Sequence, residues 1–195
     1  MATGARGPRE RMVFAAAQLI RRQGVTATGM REVVAEAAAP RGSLQHHFPG
    51  GKEQLVNEAV AWAGRYAAGR VARFVAAMDR PTPSGLFAAM AGQWIDEYQR
   101  DGYARGCPVV AATADRADAA EPTRQAAEAA FAEWTGAVAG ALTGMGVPAG
   151  RAGPLATLMI SALEGAIVLA RAEHSVRALE TVAAELGPLL DAAVG

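Results

Sequence analysis

Val33-Val34-Ala35-Glu36-Ala37-Ala38-Ala39-Pro40-Arg41-Gly42-Ser43-Leu44-Gln45-His46-His47-Phe48-Pro49-Gly50-Gly51-Lys52-Glu53-Gln54-Leu55 is the stretch from which the architecture can be read. Its centre, Arg41 to Phe48, is a short helix that Pro49-Gly50-Gly51 closes, because proline and paired glycines continue a helix only at considerable cost. Leu44 and Phe48 are spaced i, i+4 and anchor this helix inward, which leaves Arg41, Ser43, Gln45 and one or both of His46 and His47 facing outward. The preceding segment, about Gly29 to Ala37, is a second short helix with Thr28 as its N-cap and Met30, Val33, Val34 and Ala37 as its inner face. Ala38-Ala39-Pro40 forces the turn between them. Two short helices joined by a tight turn, the second presenting polar side chains, can place a helix in the major groove of a duplex. Arg41 suits bidentate contact with guanine and Gln45 with adenine, Ser43 and His46 offer shorter-range donors, and Gly42 lets the backbone approach closely. Lys52, at the start of the next helix, is placed for a phosphate.

Outward from this stretch the helical period persists. Met12, Val13, Ala16, Leu19 and Ile20 recur at three- and four-residue intervals over Pro8 to Gln23, and Gly24 ends that helix. Downstream, helices are expected at Lys52 to Met78, Leu86 to Arg100, Val109 to Ala114, Thr123 to Thr143, Pro154 to Ala172 and Val176 to Ala193. That makes an all-α chain of about nine helices. Its 48 alanines and 6% aromatics agree, being rich in helix formers and poor in strand formers. Residues 1–52 form the expected helix-turn-helix DNA-binding domain and residues 53–195 an effector-binding and dimerisation domain.

The formal net charge is zero, but residues 1–55 carry +4 and residues 56–195 carry −4. A basic head on an acidic body points the first part of the chain at an anionic polymer. The single Cys107 excludes an intramolecular disulfide, no charged-then-apolar leader precedes the first helix, and the expected location is the cytoplasm. Gly153 to Ala170 is apolar enough to weigh as a membrane span, yet Glu164 interrupts it at a cost of roughly 2.5–3.5 kcal/mol, so a buried helix and no membrane partner are expected.

The long stretch from Val33 to Leu55 resembles the tetracycline-repressor (TetR) family of transcriptional regulators. The double glycine before Lys52 and the later Arg105-Gly106-Cys107-Pro108 resemble its multidrug and lincomycin-resistance branch. The likeness is specific over the first 60 residues or so and continues through Leu163-Glu164-Gly165-Ala166. It implies a ligand-responsive regulator, usually a repressor, released from a palindromic operator by a small hydrophobic effector. Residue by residue it implies phosphate contacts from Thr28, His46 and Lys52, with Arg41, Gly42, Ser43 and Gln45 at the groove. Arg6 and Arg9, in an N-terminal arm, would reach the minor groove. Two positions depart from the family pattern. Gln45 stands where tyrosine is usual, and Ala38 where the turn usually has glycine, which costs about 1 kcal/mol if that position needs a positive φ.

In the body, helical spacing alone makes most aromatics core. The resemblance implies that some line an effector pocket, with Trp62, Tyr66, Met90, Trp94, Tyr98, Cys107, Trp134, Met159 and Leu163 as candidates. The last two helices are apolar for a surface, and pairing through Leu155, Leu158, Ala162, Ala166, Leu179, Val182 and Leu186 would bury them in a homodimeric four-helix bundle. No metal site or cofactor is expected: His46 and His47 are sequence neighbours that point to different faces, and no nucleophile stands with a base. The alternatives are a helical scaffold or a small helical enzyme, neither of which would bind a palindromic duplex in a salt-sensitive way.

Overall fold

The computed structural model describes residues 7–40, 42–116 and 119–195, and among them every regular element is a helix. They fall into two compact units.

The first unit takes the described residues of Met1–Arg65 together with Cys107–Phe131. It opens with α1 (Pro8–Ala27), which has proline at its first position, where a missing N–H costs nothing. Gly24, at φ 79° and ψ 173°, breaks α1, so Val25–Ala27 form a separate last turn. Two short helices follow, α2 (Met30–Glu36) and α3 (Ser43–His47), and then the first part of α4 (Gly51–Ala76). The returning segment adds α6 (Pro108–Arg116) and the start of α7 (Glu121–Gly144). The inner face of α1, including Met12, Ala16, Leu19 and Ile20, packs with Val33 of α2, Phe48, Leu55 and Ala59 of α4, and Val109 and Ala112 of α6 in one hydrophobic cluster. Helices α4 and α7 touch so closely at Gly64 that a Cβ there would lie 2.7 Å from the Cα of Ala130. Beside that contact, the hydroxyl of buried Thr123 donates to Asn57 Oδ1 at 2.8 Å.

The second unit takes Tyr66–Gly106 and Ala132–Gly195. It holds the remainder of α4 and α7 with α5 (Pro83–Asp101), α8 (Ala149–Glu173) and α9 (Arg177–Asp191). Helix α5 packs on α9, and α8 packs on both. Helix α5 begins before Leu86 because Thr82 caps it: its Oγ1 accepts from the Gly85 amide at 3.0 Å, and Pro83 supplies the first position. The Ser84 amide and hydroxyl donate to Asp191 at 2.9 and 2.6 Å, tying the start of α5 to the end of α9. Helix α8 starts at Ala149, so Pro154 lies inside it rather than at its head. By length and composition α8 could cross a membrane, but one face of it, with Met159, Leu163 and Ile167 fully buried, is committed to this unit's core.

Candidate nucleic-acid interface

Helix α3 is held from beneath by two residues. Phe48, directly after it, is fully buried, and Leu44 is partly buried against the same cluster. With those two positions pointing inward, Gln45 and His46 are exposed on the opposite side. Ser43 is half-buried and its hydroxyl donates to the Pro40 carbonyl at 2.7 Å, fastening the turn. Gly42 is exposed, and a Cβ there would meet nothing within 4 Å, so nothing within the protein requires glycine. Arg41 lies outside the described residues, as does Arg6.

The turn before α3 is tight in the way that its alanines make costly. Ala38 adopts φ 46°, the left-handed region that glycine occupies freely. The amides of Ala38 and Ala39 bond back to the carbonyls of Ala35 and Val34. Arg11 Nε donates to the Ala37 carbonyl at 3.0 Å, satisfying an acceptor at the open end of α2.

Lys52 sits in the first turn of α4, where the helix dipole disfavours a cation by about 0.3–1 kcal/mol. Its Nζ donates to the Thr26 carbonyl at 3.2 Å, and the ammonium stays partly exposed. The α4 start is closed by Gln54, whose Oε1 accepts from the Gly50 amide at 2.9 Å.

Two expected DNA contacts are placed differently. Thr28 is 3% exposed, and its hydroxyl donates to the Gly24 carbonyl at 2.6 Å. The N-cap of α2 is Gly29, and Thr28 braces the preceding turn. Helical spacing could not show this, because it depends on the break at Gly24. Arg9 belongs to α1, not to a loose arm: its guanidinium pairs with Glu58 at 2.6 Å and lies over the Phe48 ring.

Known proteins show the same organisation. Residues 13–59 match the family described as bacterial regulatory proteins, tetR family, and residues 83–185 match the LmrA/YxaF-like transcriptional regulator C-terminal domain. An HTH-type transcriptional regulator of Mycobacterium tuberculosis is 39% identical over 193 residues, covering 94% of each chain. The chain belongs to the TetR family of bacterial transcriptional regulators.

This TetR family regulator is also 32% identical to the HTH-type transcriptional regulator LmrA of Bacillus subtilis over 161 residues, covering 83% of this chain and 85% of the other. The crystal structure of a TetR transcriptional regulator from Legionella pneumophila has a TM-score of 0.81 at 19% identity, covering 96% and 99% of the two chains, and so has the same fold. The regulator is an all-α, helix-turn-helix protein that binds DNA, and the enzyme and scaffold alternatives fall away. Among the described residues, no three His, Cys, Asp or Glu gather as a metal site would require.

The residues expected to line an effector pocket divide between the units. Met90, Trp94, Tyr98, Trp134, Met159 and Leu163 are buried in the second unit, and Tyr66 is half-buried there. Trp62 and Cys107 belong to the first unit's hydrophobic cluster, with Trp62 set edge-on to Phe14 at 5.3 Å. An apolar position on a helix reads the same whichever core it joins, so the sequence could not separate these two. Tyr98 is also a strut, its hydroxyl donating to the Arg105 carbonyl at 3.0 Å, while Arg105 pairs with Asp101 at 3.0 Å. Arg105, the first residue of the Arg105-Gly106-Cys107-Pro108 motif, is thereby fastened to α5.

The residues expected at a dimer face divide between the interior and the surface of the subunit. Leu155, Ala166 and Leu179 are at most 4% exposed inside their own subunit. Leu158, Ala162, Val182 and Leu186 do reach the surface, as does Leu189, joined by Gly165, Val168 and Leu169, which the spacing argument did not select. Leu158, Ala162, Gly165 and Leu169 recur at i, i+4, i+7 and i+11, and that spacing was available as a signal. Because α8 is apolar nearly all round, periodicity alone did not say which face turns inward.

Proposed function

We propose that the regulator is a repressor that binds a palindromic operator as a homodimer in the cytoplasm and is released by a small hydrophobic effector. The DNA-binding domain is residues 1–52, with effector binding and dimerisation in residues 53–195. The observation that carries this reading is the pairing of exposed Gln45 and His46 with a buried Phe48 anchor and with Lys52 placed against its helix dipole. A cation kept where it weakens its helix is readily explained by a phosphate partner. Gln45, Ser43, Gly42 and Arg41 are assigned to base contacts, and Lys52 and His46 to phosphates.

Dimerisation through Leu158, Ala162, Gly165 and Leu169 of α8 with Leu186 and Leu189 of α9 covers an exposed apolar stripe whose small residues admit a close helix partner. Twofold pairing sets two α3 helices one turn of DNA apart, or a multiple of it, which calls for a palindrome. Met90, Trp94, Tyr98, Trp134, Met159 and Leu163 supply the apolar lining an effector of that class needs. Effector binding favours a disposition of α4 that misplaces the heads, with a coupling of about 1–3 kcal/mol.

Gel retardation with the DNA upstream of the regulator's own gene tests the reading. Binding should weaken steeply with salt, as phosphate contacts require. Gln45→Ala should cost about 1–3 kcal/mol on the preferred duplex and little on a scrambled one, and adding Arg41→Ala should abolish the preference. Equal loss on both duplexes would remove Gln45 from the groove.

A further inference from the structure

We infer that Asp115, at the end of α6, is a positioning residue for DNA binding: its carboxylate clamps the backbone turn on which Lys52 rests and from which the helix-turn-helix departs. The inference rests on the assignment of Lys52 and α3 as DNA contacts.

The break at Gly24 ends the α1 hydrogen-bond ladder and starts a fresh turn, whose first amides have no helical carbonyl to bond. Asp115 Oδ2 accepts from both, at 2.7 Å from Val25 N and 3.2 Å from Thr26 N, across 90 and 89 residues of sequence. An ionised acceptor makes these bonds roughly twice as strong as neutral ones. The peptide chain then relays the hold. The Thr26 carbonyl accepts from Lys52 Nζ, and the Gly24 carbonyl accepts from Thr28 Oγ1, the residue immediately before α2. A carboxylate, a turn and an ammonium thus form one chain from α6 to the phosphate-facing start of α4.

Packing does not do this work alone. A cavity of about 330 Å³ opens beside the turn, lined by Val25, Thr26, Lys52, Glu53, Val56 and Arg116 along with Thr123. A turn with open space on one side can shift unless directional bonds hold it. Glycine at position 24 serves the same clamp, since a Cβ there would sit 2.6 Å from Asp115 Oδ2 and would need φ 79° as well. Asp115 itself is exposed, so removing its side chain leaves no hole in the core. That separates positioning from folding.

The test uses the full chain and a duplex that the wild type selects from a random pool, with a scrambled duplex as control. Thermal unfolding and the ¹H–¹⁵N resonances of Val25 and Thr26 are read in parallel. Asp115→Ala should keep the helical content, move both amide resonances and lose roughly tenfold in affinity for the selected duplex with a smaller loss on the scrambled one, as expected for two bonds to a charged acceptor. Asp115→Asn keeps an oxygen acceptor of the same shape and should restore most of that loss. Should the alanine variant fail to fold, Asp115→Ser, whose hydroxyl is too short to span both amides, replaces it with the same expected outcome. Unchanged selected-duplex affinity despite moved amides overturns the inference. So does an equal loss on both duplexes that tracks a fall in unfolding temperature, which marks a merely structural role. A wild type that selects no duplex refutes the DNA-contact assignment itself, an outcome visible before any variant is made.

Discussion

Ala38 holds the helix-turn-helix in a conformation its Cβ resists. At φ 46° an L side chain costs about 1–2 kcal/mol, partly offset because alanine has less freedom to lose on folding than glycine. Ala38→Gly should therefore raise stability by about 0.5–1 kcal/mol, seen as a higher urea midpoint with an unchanged slope. A lower midpoint would show that the left-handed turn carries no strain. Only the resemblance marks this position in advance, since three successive alanines before a proline do not reveal which one reverses the backbone. Phe48 was legible from spacing alone, because a large apolar residue next to Pro49 has few places to go but inward. Thr28 and Asp115 were not. Each has a hydrogen-bond partner fixed by tertiary structure, and for Asp115 the partner is 90 positions away.

Among the helices, α7 carries a charge arrangement at its first turn that depends on acidity. Glu121 accepts from Arg124 at 2.8 Å and from Gln125 at 3.0 Å, and the Arg124 hydrogen bond is the main reason its carboxyl is lowered to about 2. A carboxyl with a depressed value in the folded state contributes fully above its unfolded value and loses that contribution as pH falls towards the folded one. The α7 start should thus weaken as pH drops from the usual carboxylate range to about 2. Glu121→Gln should flatten that part of the stability–pH curve, as followed by circular dichroism, while a curve identical to wild type would discount the pair. Existence and order of the helices were readable from the 3.6-residue period. Starting points were less so: Thr82 caps α5 through a side chain, and α8 starts at Ala149 and runs through Pro154.

For the molecule as a whole, the exposed stripe on α8 makes assembly the quantity to measure. Leu169 is 52% exposed in the subunit, so Leu169→Glu leaves the core intact yet would place two carboxylates at the proposed twofold interface. Sedimentation should then show a folded monomer with weaker operator binding. A variant that still sediments as a dimer would move the interface elsewhere.

The compact unit that holds the helix-turn-helix is sewn from two separate lengths of chain, with α6 packed on one side of α1. It cannot be excised as a simple N-terminal peptide. A truncation after Arg65 would strip Val109 and Ala112 from the cluster around α1 and bare apolar surface to water. Grafting this specificity onto another protein would mean transplanting both lengths together, or designing a substitute lid for α1.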